Sequence, residues 1–76
     1  MAKKQRRTKL VPVNSTSINH IGYDRDTQRL FVNYEGGRLY EYFDVPEVVY
    51  EEFAGSSSPG QYLARNLKKA YRYSRA

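Results

Sequence analysis

The chain has 76 residues, of which 14% are aromatic, and its formal net charge at pH 7 is +5. This length allows one small domain, near the lower limit at which a hydrophobic core alone supports folding. The chain has no cysteine, which excludes disulfides and thiolate metal sites, and no apolar run approaches the roughly 18 residues of a membrane-spanning helix.

Charge is distributed unevenly along the chain. Residues 1–10 and residues 55–76 each carry a net charge of +5, whereas residues 11–54 carry a net charge of −5. Such a distribution indicates either a polyanionic partner or an attraction between parts of the same chain. The basic start resembles that of a signal peptide, but no apolar segment follows it, so we expect a cytoplasmic protein that has no membrane partner.

The first predicted elements are a tail and a strand. Residues 1–13 are polar and basic and are predicted to form a flexible tail in front of a single domain at 14–76. The segment SINHIGYD is predicted to be a strand whose apolar members are Ile18, Ile21 and Tyr23. Because their spacing changes from three to two, we expect a β-bulge between the two isoleucines.

The segments RLFVNY and RLYEYF are predicted to form a β-hairpin. A three-residue loop at 35–37 places Leu30 opposite Tyr42 and Val32 opposite Tyr40, so that the apolar residues of both strands share one face. A two-residue turn would instead place Val32 opposite a glutamate. The first register is therefore expected, and it puts both tyrosines in the core rather than on an open stacking surface.

The opposite face of this hairpin has no remaining segment to cover it. We interpret it as a candidate interaction face, which would serve a homodimer, a protein partner or stacked bases. Its residues are Arg29, Phe31, Asn33, Leu39 and Phe43.

Two helices are predicted after the strands. The first, in DVPEVVYEEFAG, has the capping-box spacing at Asp44 and Glu47 and can end at Gly55. The second begins with Ser58 as its cap and Pro59 in its first turn, and is expected to continue through KKAYRY. The predicted fold class is therefore α+β, a three-stranded antiparallel sheet followed by two helices packed on one face.

Ten basic residues at the two ends of the chain are the candidate nucleic-acid-binding residues. On a helix, the C-terminal members would form a basic face, which could alternatively be a solvated face attracted to the acidic first helix. The ten are Lys3, Lys4, Arg6, Arg7, Lys9, Arg65, Lys68, Lys69, Arg72 and Arg75. They predict a small accessory module that binds RNA or DNA; a protein-interaction or homodimeric module is the alternative.

The sequence does not favour catalysis. His20 is the only histidine, and no His, Asp or Glu cluster has metal-ligand spacing. The serines at 56–58 are typical of a loop and cap rather than of a nucleophile. We expect no enzymatic activity, no cofactor, no metal and no small-molecule substrate.

Three segments together resemble a known family. They are SINHIGYD, LFVNYEGGRLYEYFDVPEVVYEEF and SPGQYLARNLKKAY, between residues 14 and 73. Their most specific positions are Tyr40, Tyr42, Val45, Pro46, Tyr50, Ser58, Gly60 and Tyr62. The pattern resembles the KTSC domain, which occurs at the C-terminus of some lysyl-tRNA synthetases and as stand-alone bacterial or phage proteins. The resemblance implies an RNA partner, since the domain is attached to a tRNA-handling enzyme, and it implies no catalytic residues.

Overall fold

The structure, a computed structural model, describes residues 9–76. Five strands form one antiparallel sheet, in which each strand pairs with the next along the chain. The elements in chain order are β1 Val11–Pro12, β2 Ile18–Asp24, β3 Arg29–Tyr34, β4 Leu39–Tyr42, α1 Glu47–Ala54, α2 Pro59–Tyr62 with a π-helical continuation at Leu63–Leu67, and β5 Tyr73–Arg75. Within residues 9–76, no helix has the length and apolar character needed to cross a membrane.

The predicted bulge in β2 is confirmed. The register of β2 against β3 shifts between Ile18, which lies opposite Tyr34, and His20, which lies opposite Asn33. The extra residue restores the alternation of faces, so that Ile18 and Ile21 are both fully buried despite their odd spacing.

The predicted hairpin register is also confirmed. Leu30 lies opposite Tyr42, and Val32 lies opposite Tyr40. The loop at 35–37 closes this register because both of its glycines adopt positive φ values, 95° and 90°, which side chains with a Cβ rarely adopt.

Helix α1 forms where it was predicted, but the capping box does not. Pro46 is the N-cap residue, and no side chain caps the helix. Asp44 lies two residues before it with a φ of 58°, and the Glu47 carboxylate pairs with the Arg25 guanidinium at 2.9 Å. The ion pair with the β2–β3 turn therefore replaces the predicted hydrogen bond to the backbone.

The second helix is shorter than predicted. Its α-helical turn at Pro59–Tyr62 continues as a π-helical turn at Leu63–Leu67, and no side chain caps its start. The two leucines at the ends of the π-helical turn are buried, whereas residues 68–70 are exposed. Helical structure therefore stops where the apolar contacts with the sheet stop.

The remaining C-terminal residues form β5 against β4 rather than a helical turn. The Phe43 N–H donates to the Arg72 carbonyl at 2.9 Å, and the Ala76 N–H donates to the Leu39 carbonyl at 2.8 Å. These bonds satisfy backbone groups that a three-stranded sheet would leave unpaired at its edge. Pairing with β4 thus outweighs the local helical pattern of the segment.

The opposite edge of the sheet is formed by residues of the predicted tail. Val11 lies opposite Ile21, and Pro12 lies opposite His20. A proline is compatible with this position because an edge strand leaves half of its backbone groups unpaired. The sheet therefore has five strands instead of the predicted three, and the fold begins before residue 14.

The core lies between one face of the sheet and the helices, as predicted. Its apolar side chains come from β2, β3, β4, the segment before α1, and both helical segments. The buried residues are Ile18, Ile21, Leu30, Val32, Tyr42, Val45, Phe53, Leu63 and Leu67. We call this side of the sheet the inner face and the other side the outer face.

Candidate functional site

A pocket opens on the inner face of the sheet, beside the end of the second helix. Its volume is about 270 Å³. Four of its six lining residues are tyrosines and the other two are cations. The lining residues, which we call the tyrosine pocket, are Tyr34, Arg38, Tyr40, Tyr42, Lys68 and Tyr73.

The sheet register brings the four tyrosines together. Tyr34 ends β3, and Tyr40 and Tyr42 are two residues apart in β4, so that both project to the inner face. Tyr73 of β5 lies opposite Tyr42 and therefore on the same face. The pocket thus depends on β5, because β5 supplies the Tyr73 ring.

The rings of the pocket are inclined to one another. Tyr40 lies edge-on to Tyr34, with centroids 5.3 Å apart at 87°, and lies 6.1 Å from Tyr73 at 65°. Tyr42 and Tyr73 are 5.0 Å apart at 38°. In each of these pairs the rings are inclined rather than parallel, and Tyr73 is exposed at 45%.

The hydroxyls of Tyr34 and Tyr42 lie 2.9 Å apart and share a hydrogen bond in which either oxygen can donate. Burial raises the pKa of Tyr42, and its hydrogen bond with Tyr34 raises it further. Burial also raises the pKa of Tyr34, an effect that this hydrogen bond reduces. Both phenols are therefore protonated at neutral pH, and the pair keeps one O–H donor beyond the bond that joins them.

Positive charge borders these neutral rings. Arg38 and Lys68 line the pocket, and Arg75 lies opposite Tyr40 in the β4–β5 ladder and so on the same face. Within residues 9–76, none of these three forms an ion pair. We call Arg38, Lys68 and Arg75 the cationic rim. Among the described residues, no carboxylate lines the pocket.

Three other arginines of the described chain form ion pairs with nearby carboxylates. Their ion pairs are Arg25–Glu47 at 2.9 Å, Arg29–Glu41 at 3.1 Å and Arg72–Asp44 at 3.7 Å. The acidic middle of the sequence thus binds cations elsewhere in the fold and leaves the cationic rim uncompensated.

The predicted basic helix face is divided by the early end of the helix. Arg65 and Lys69 are exposed and lie within three residues of Lys68 in the sequence. Arg72 follows the helix, and its guanidinium lies over the Phe43 ring, 5.3 Å from the ring centroid. Arg75 belongs to β5. Of the predicted N-terminal residues, Lys9 is exposed, and Lys3, Lys4, Arg6 and Arg7 lie outside the described residues.

The residues of the predicted interaction face do lie together on the outer face. Phe31, Asn33, Leu39 and Phe43 are each half-buried. The guanidinium of Arg29 lies over the Phe43 ring at 5.2 Å, in addition to that of Arg72. The outer face is therefore partly covered by arginines of the same chain, which the sequence did not indicate.

Several motif positions have structural roles away from the pocket. Pro46 caps α1, and Tyr50 stacks on Tyr23 with ring centroids 4.9 Å apart and an interplanar angle of 10°. Tyr62 stacks on Phe53 at 5.8 Å, and its hydroxyl donates to a carboxylate oxygen of α1 at 2.9 Å. These contacts attach the helices to each other and to the sheet.

The close approach of α2 to the loop before β2 explains Gly60. A Cβ at this position would lie 3.0 Å from the Ser17 hydroxyl oxygen. The Ser58 carbonyl accepts the N–H of Tyr62 at 3.0 Å, while its side chain makes no capping bond. A groove of about 460 Å³ lies beside this contact, lined by residues 14–17 and 57–61, none of them charged.

The described chain offers no cluster for metal chemistry. Within residues 9–76, no group of three or more His, Cys, Asp or Glu side chains could hold a metal ion. His20 is half-buried in β2 opposite Asn33, on the outer face, and so lies away from the tyrosine pocket.

Comparison with known proteins places this arrangement in a family. The family model of the KTSC domain matches residues 14–71. The chain belongs to the KTSC domain family. A KTSC domain protein from Yersinia pestis has the same fold, with a TM-score of 0.85 and 30% sequence identity over 92% of this chain and 99% of that one.

Relatives of this KTSC domain occur in two contexts. A lysine–tRNA ligase of Trichormus variabilis is 34% identical over 64 residues, which cover 84% of this chain but only 11% of the ligase. A protein of Tsukamurella paurometabola is 33% identical over 61 residues, which cover 80% of this chain and 91% of that protein. The chain therefore spans about a tenth of the ligases that it matches and nearly the whole of the smaller relative.

Three pocket residues were not predicted as site residues. Tyr34 and Arg38 flank the hairpin loop, and their side of the sheet follows from the hairpin register. The helical pattern predicts a helix at Tyr73, although YRYSR at 71–75 has the two-residue alternation of a strand. That alternation was the available signal for β5 and for the rings it brings together.

Proposed function

We propose that this KTSC domain is a small, cytoplasmic, non-enzymatic module that binds RNA through its cationic rim. The observation that carries the proposal is the distribution of charge in the fold. The rim cations have no carboxylate partner within residues 9–76. The arginines that do form ion pairs with carboxylates, Arg25, Arg29 and Arg72, do not line the pocket. Uncompensated cations beside exposed aromatic rings are typical of surfaces that bind nucleic acids.

The relatives support RNA as the first nucleic acid to test. The ligases that match this chain are named for tRNA, although the match covers 11% of their length. Phosphate contacts provide most of the affinity in such interactions and release counterions, so binding should weaken steeply as the salt concentration rises. The basic residues at 1–10 would add further phosphate contacts.

Fluorescence anisotropy with labelled tRNA, single-stranded RNA and duplex DNA tests the proposal across a salt series. In the full chain, the double variant Arg38→Gln/Lys68→Gln should lower the log–log salt slope for single-stranded RNA by about 1.4, or about 0.7 for each lost phosphate contact. The matched control is Arg25→Gln/Arg72→Gln, which removes the same charge from cations that already have carboxylate partners. Its slope should stay close to that of the unmodified chain.

A further full-chain variant separates the rim from the N-terminal residues. Replacing Lys3, Lys4, Arg6 and Arg7 with glutamine should weaken binding to all three nucleic acids without removing the effect of the rim substitutions. The proposal is wrong if the unmodified chain binds none of them at low salt, or if the rim and control double variants behave alike. The outer face, as a protein-interaction or homodimer surface, would then be the better candidate.

A further inference from the structure

We infer that the tyrosine pocket is a site for one unstacked nucleotide of a single strand, with its base against the Tyr40 and Tyr73 rings and its phosphate bound by Arg38 and Lys68. This inference rests on the proposed function and names the chemical group that the pocket would take.

The size of the pocket limits its ligand. Its volume of about 270 Å³ is slightly below the roughly 300 Å³ at which pockets for small molecules usually begin. A single base fits this range, whereas a folded loop or a duplex does not. A base that is paired and stacked within a helix cannot enter, so the ligand must come from an unpaired segment or a strand end.

The ring arrangement provides a surface for stacking. Elsewhere in the fold, Tyr23 and Tyr50 lie nearly parallel at 10°, so that their facing surfaces are covered. The Tyr40 and Tyr73 rings are inclined at 65°, and Tyr73 is one of the few large apolar side chains that are exposed. An inserted base can therefore contact the exposed part of the Tyr73 ring and the half-buried Tyr40 beside it.

Charge and hydrogen bonding favour a nucleotide over a neutral aromatic ligand. Arg38 and Lys68 both line the pocket, and no carboxylate lies among the lining residues to repel a phosphate. The hydroxyl pair of Tyr34 and Tyr42 has one remaining O–H donor and free acceptor positions. Such a pair can bond to the polar edge of any base, so binding should depend little on base identity.

The test uses the full chain and a single-stranded RNA containing one 2-aminopurine, whose fluorescence falls when it stacks on a ring. Tyr73→Leu should lower the affinity for this strand by about 5- to 150-fold, as expected for the loss of a stacked base, and should abolish the fluorescence change. Tyr71→Leu is the matched control, because it removes a neighbouring ring that does not line the pocket. Affinity for duplex DNA should be the same in all three proteins.

Two neighbouring lysines provide an equivalent control for charge. Lys68→Gln should weaken binding of the single strand more than Lys69→Gln, although both variants lose one charge at adjacent positions, because only Lys68 lines the pocket. A second series uses two other ligands. Single-stranded DNA of the same sequence tests whether binding requires ribose, and adenosine monophosphate tests whether a free nucleotide binds without a strand.

The outcomes distinguish this inference from the proposed function. If the unmodified chain binds single strands but Tyr73→Leu and Tyr71→Leu bind them equally well, the pocket is not the site, while RNA binding through the rim stands. If only the free monophosphate binds, the strand ligand is wrong. If nothing binds, both proposals fail. Circular dichroism of each variant checks that it is folded, and Arg38→Gln tests the pocket independently of any ring substitution.

Discussion

Two groups of tyrosines in the same small domain differ in what covers them. The Tyr23 ring stacks in parallel on Tyr50 of α1, and its hydroxyl donates to the carbonyl of Val45. In the tyrosine pocket the rings are inclined by 38–87°, and the hydroxyls of Tyr34 and Tyr42 bond to each other. The fold therefore satisfies the first group, whereas the second keeps the exposed ring of Tyr73 and one O–H donor available.

The difference follows from the extent of the helices. Helix α1 lies over the β2 side of the sheet, where its tyrosine completes a stacked pair. The π-helical turn ends at Leu67, and Tyr73 of β5, on the inner face, stays exposed. Tyrosine content alone thus does not distinguish the packed pair from the pocket; the position at which the covering helix ends does.

The largest expected effect is a difference in stability between variants of two pocket tyrosines, Tyr42, which belongs to the core, and Tyr73, which does not. Tyr42 is fully buried, so Tyr42→Ala should reduce the free energy of unfolding by about 3–5 kcal/mol, the usual range for removing a large aromatic side chain. Tyr73→Ala should cost less than about 1 kcal/mol, because the ring is half-exposed at a sheet edge.

Urea unfolding monitored by far-ultraviolet circular dichroism measures both values. If Tyr73→Ala proved as destabilising as Tyr42→Ala, Tyr73 would be part of the core and the pocket would not be open. An intact fold in the Tyr73 variant is also what makes ring removal a clean test of ligand binding.

The second expected effect is a loss of stability at high pH to which the pocket contributes. Burial also raises the pKa values of Tyr23, Tyr50 and Tyr62 outside the pocket. The folded state raises the pKa values of Tyr34 and Tyr42 above the ordinary value of 10.0, so the unfolded chain releases these protons first as the pH rises. Their contribution is complete below pH 10 and is lost above it, by up to about 1.4 kcal/mol per pH unit for each tyrosine.

Urea midpoints between pH 8 and pH 11.5 test this dependence. Tyr42→Phe should flatten the decline above pH 10, because the variant no longer has the phenol whose proton the fold holds most tightly. An unchanged decline in this variant would show that other groups, and not the hydroxyl pair, govern unfolding at high pH.

Local sequence patterns predicted the part of the sheet in which neighbouring residues fix the strand register. The alternation in RLFVNY and RLYEYF admits one register that keeps the apolar residues on one face, and the structure has that register. The uneven spacing of Ile18 and Ile21 likewise required the bulge that is observed. In both cases the spacing of apolar residues within the segment is enough to choose the register, and no contact with a distant segment is needed.

The missed elements depend on distant contacts. The lysines and alanine of segment 68–75 are compatible with a helix, whereas its alternating tyrosines are compatible with a strand. The strand forms because the edge of β4 offers backbone groups for pairing. Asp44 and Glu47 have the capping spacing, but Arg25 in another turn binds the glutamate. The pocket was missed for the same reason, because only β5 places Tyr73 beside Tyr42.

The smallest expected effect compares single hydroxyls in the two groups. Tyr23→Phe removes the donor to the carbonyl of the fully buried Val45 and should cost about 1 kcal/mol, since that carbonyl loses its partner in an apolar environment. The Tyr40 hydroxyl makes no hydrogen bond within residues 9–76, so Tyr40→Phe should change stability by less than about 0.5 kcal/mol.

Both phenylalanine variants keep the ring, so the difference between their urea midpoints isolates the hydroxyl. Equal costs would mean that the Tyr40 hydroxyl stabilises the fold as much as that of Tyr23 does, and the pocket would then be one more structural cluster. A cost confined to Tyr23 would leave the Tyr40 hydroxyl as a group that the fold does not need. Loss of RNA affinity in Tyr40→Phe, measured on the same folded protein, would then assign the hydroxyl to the ligand.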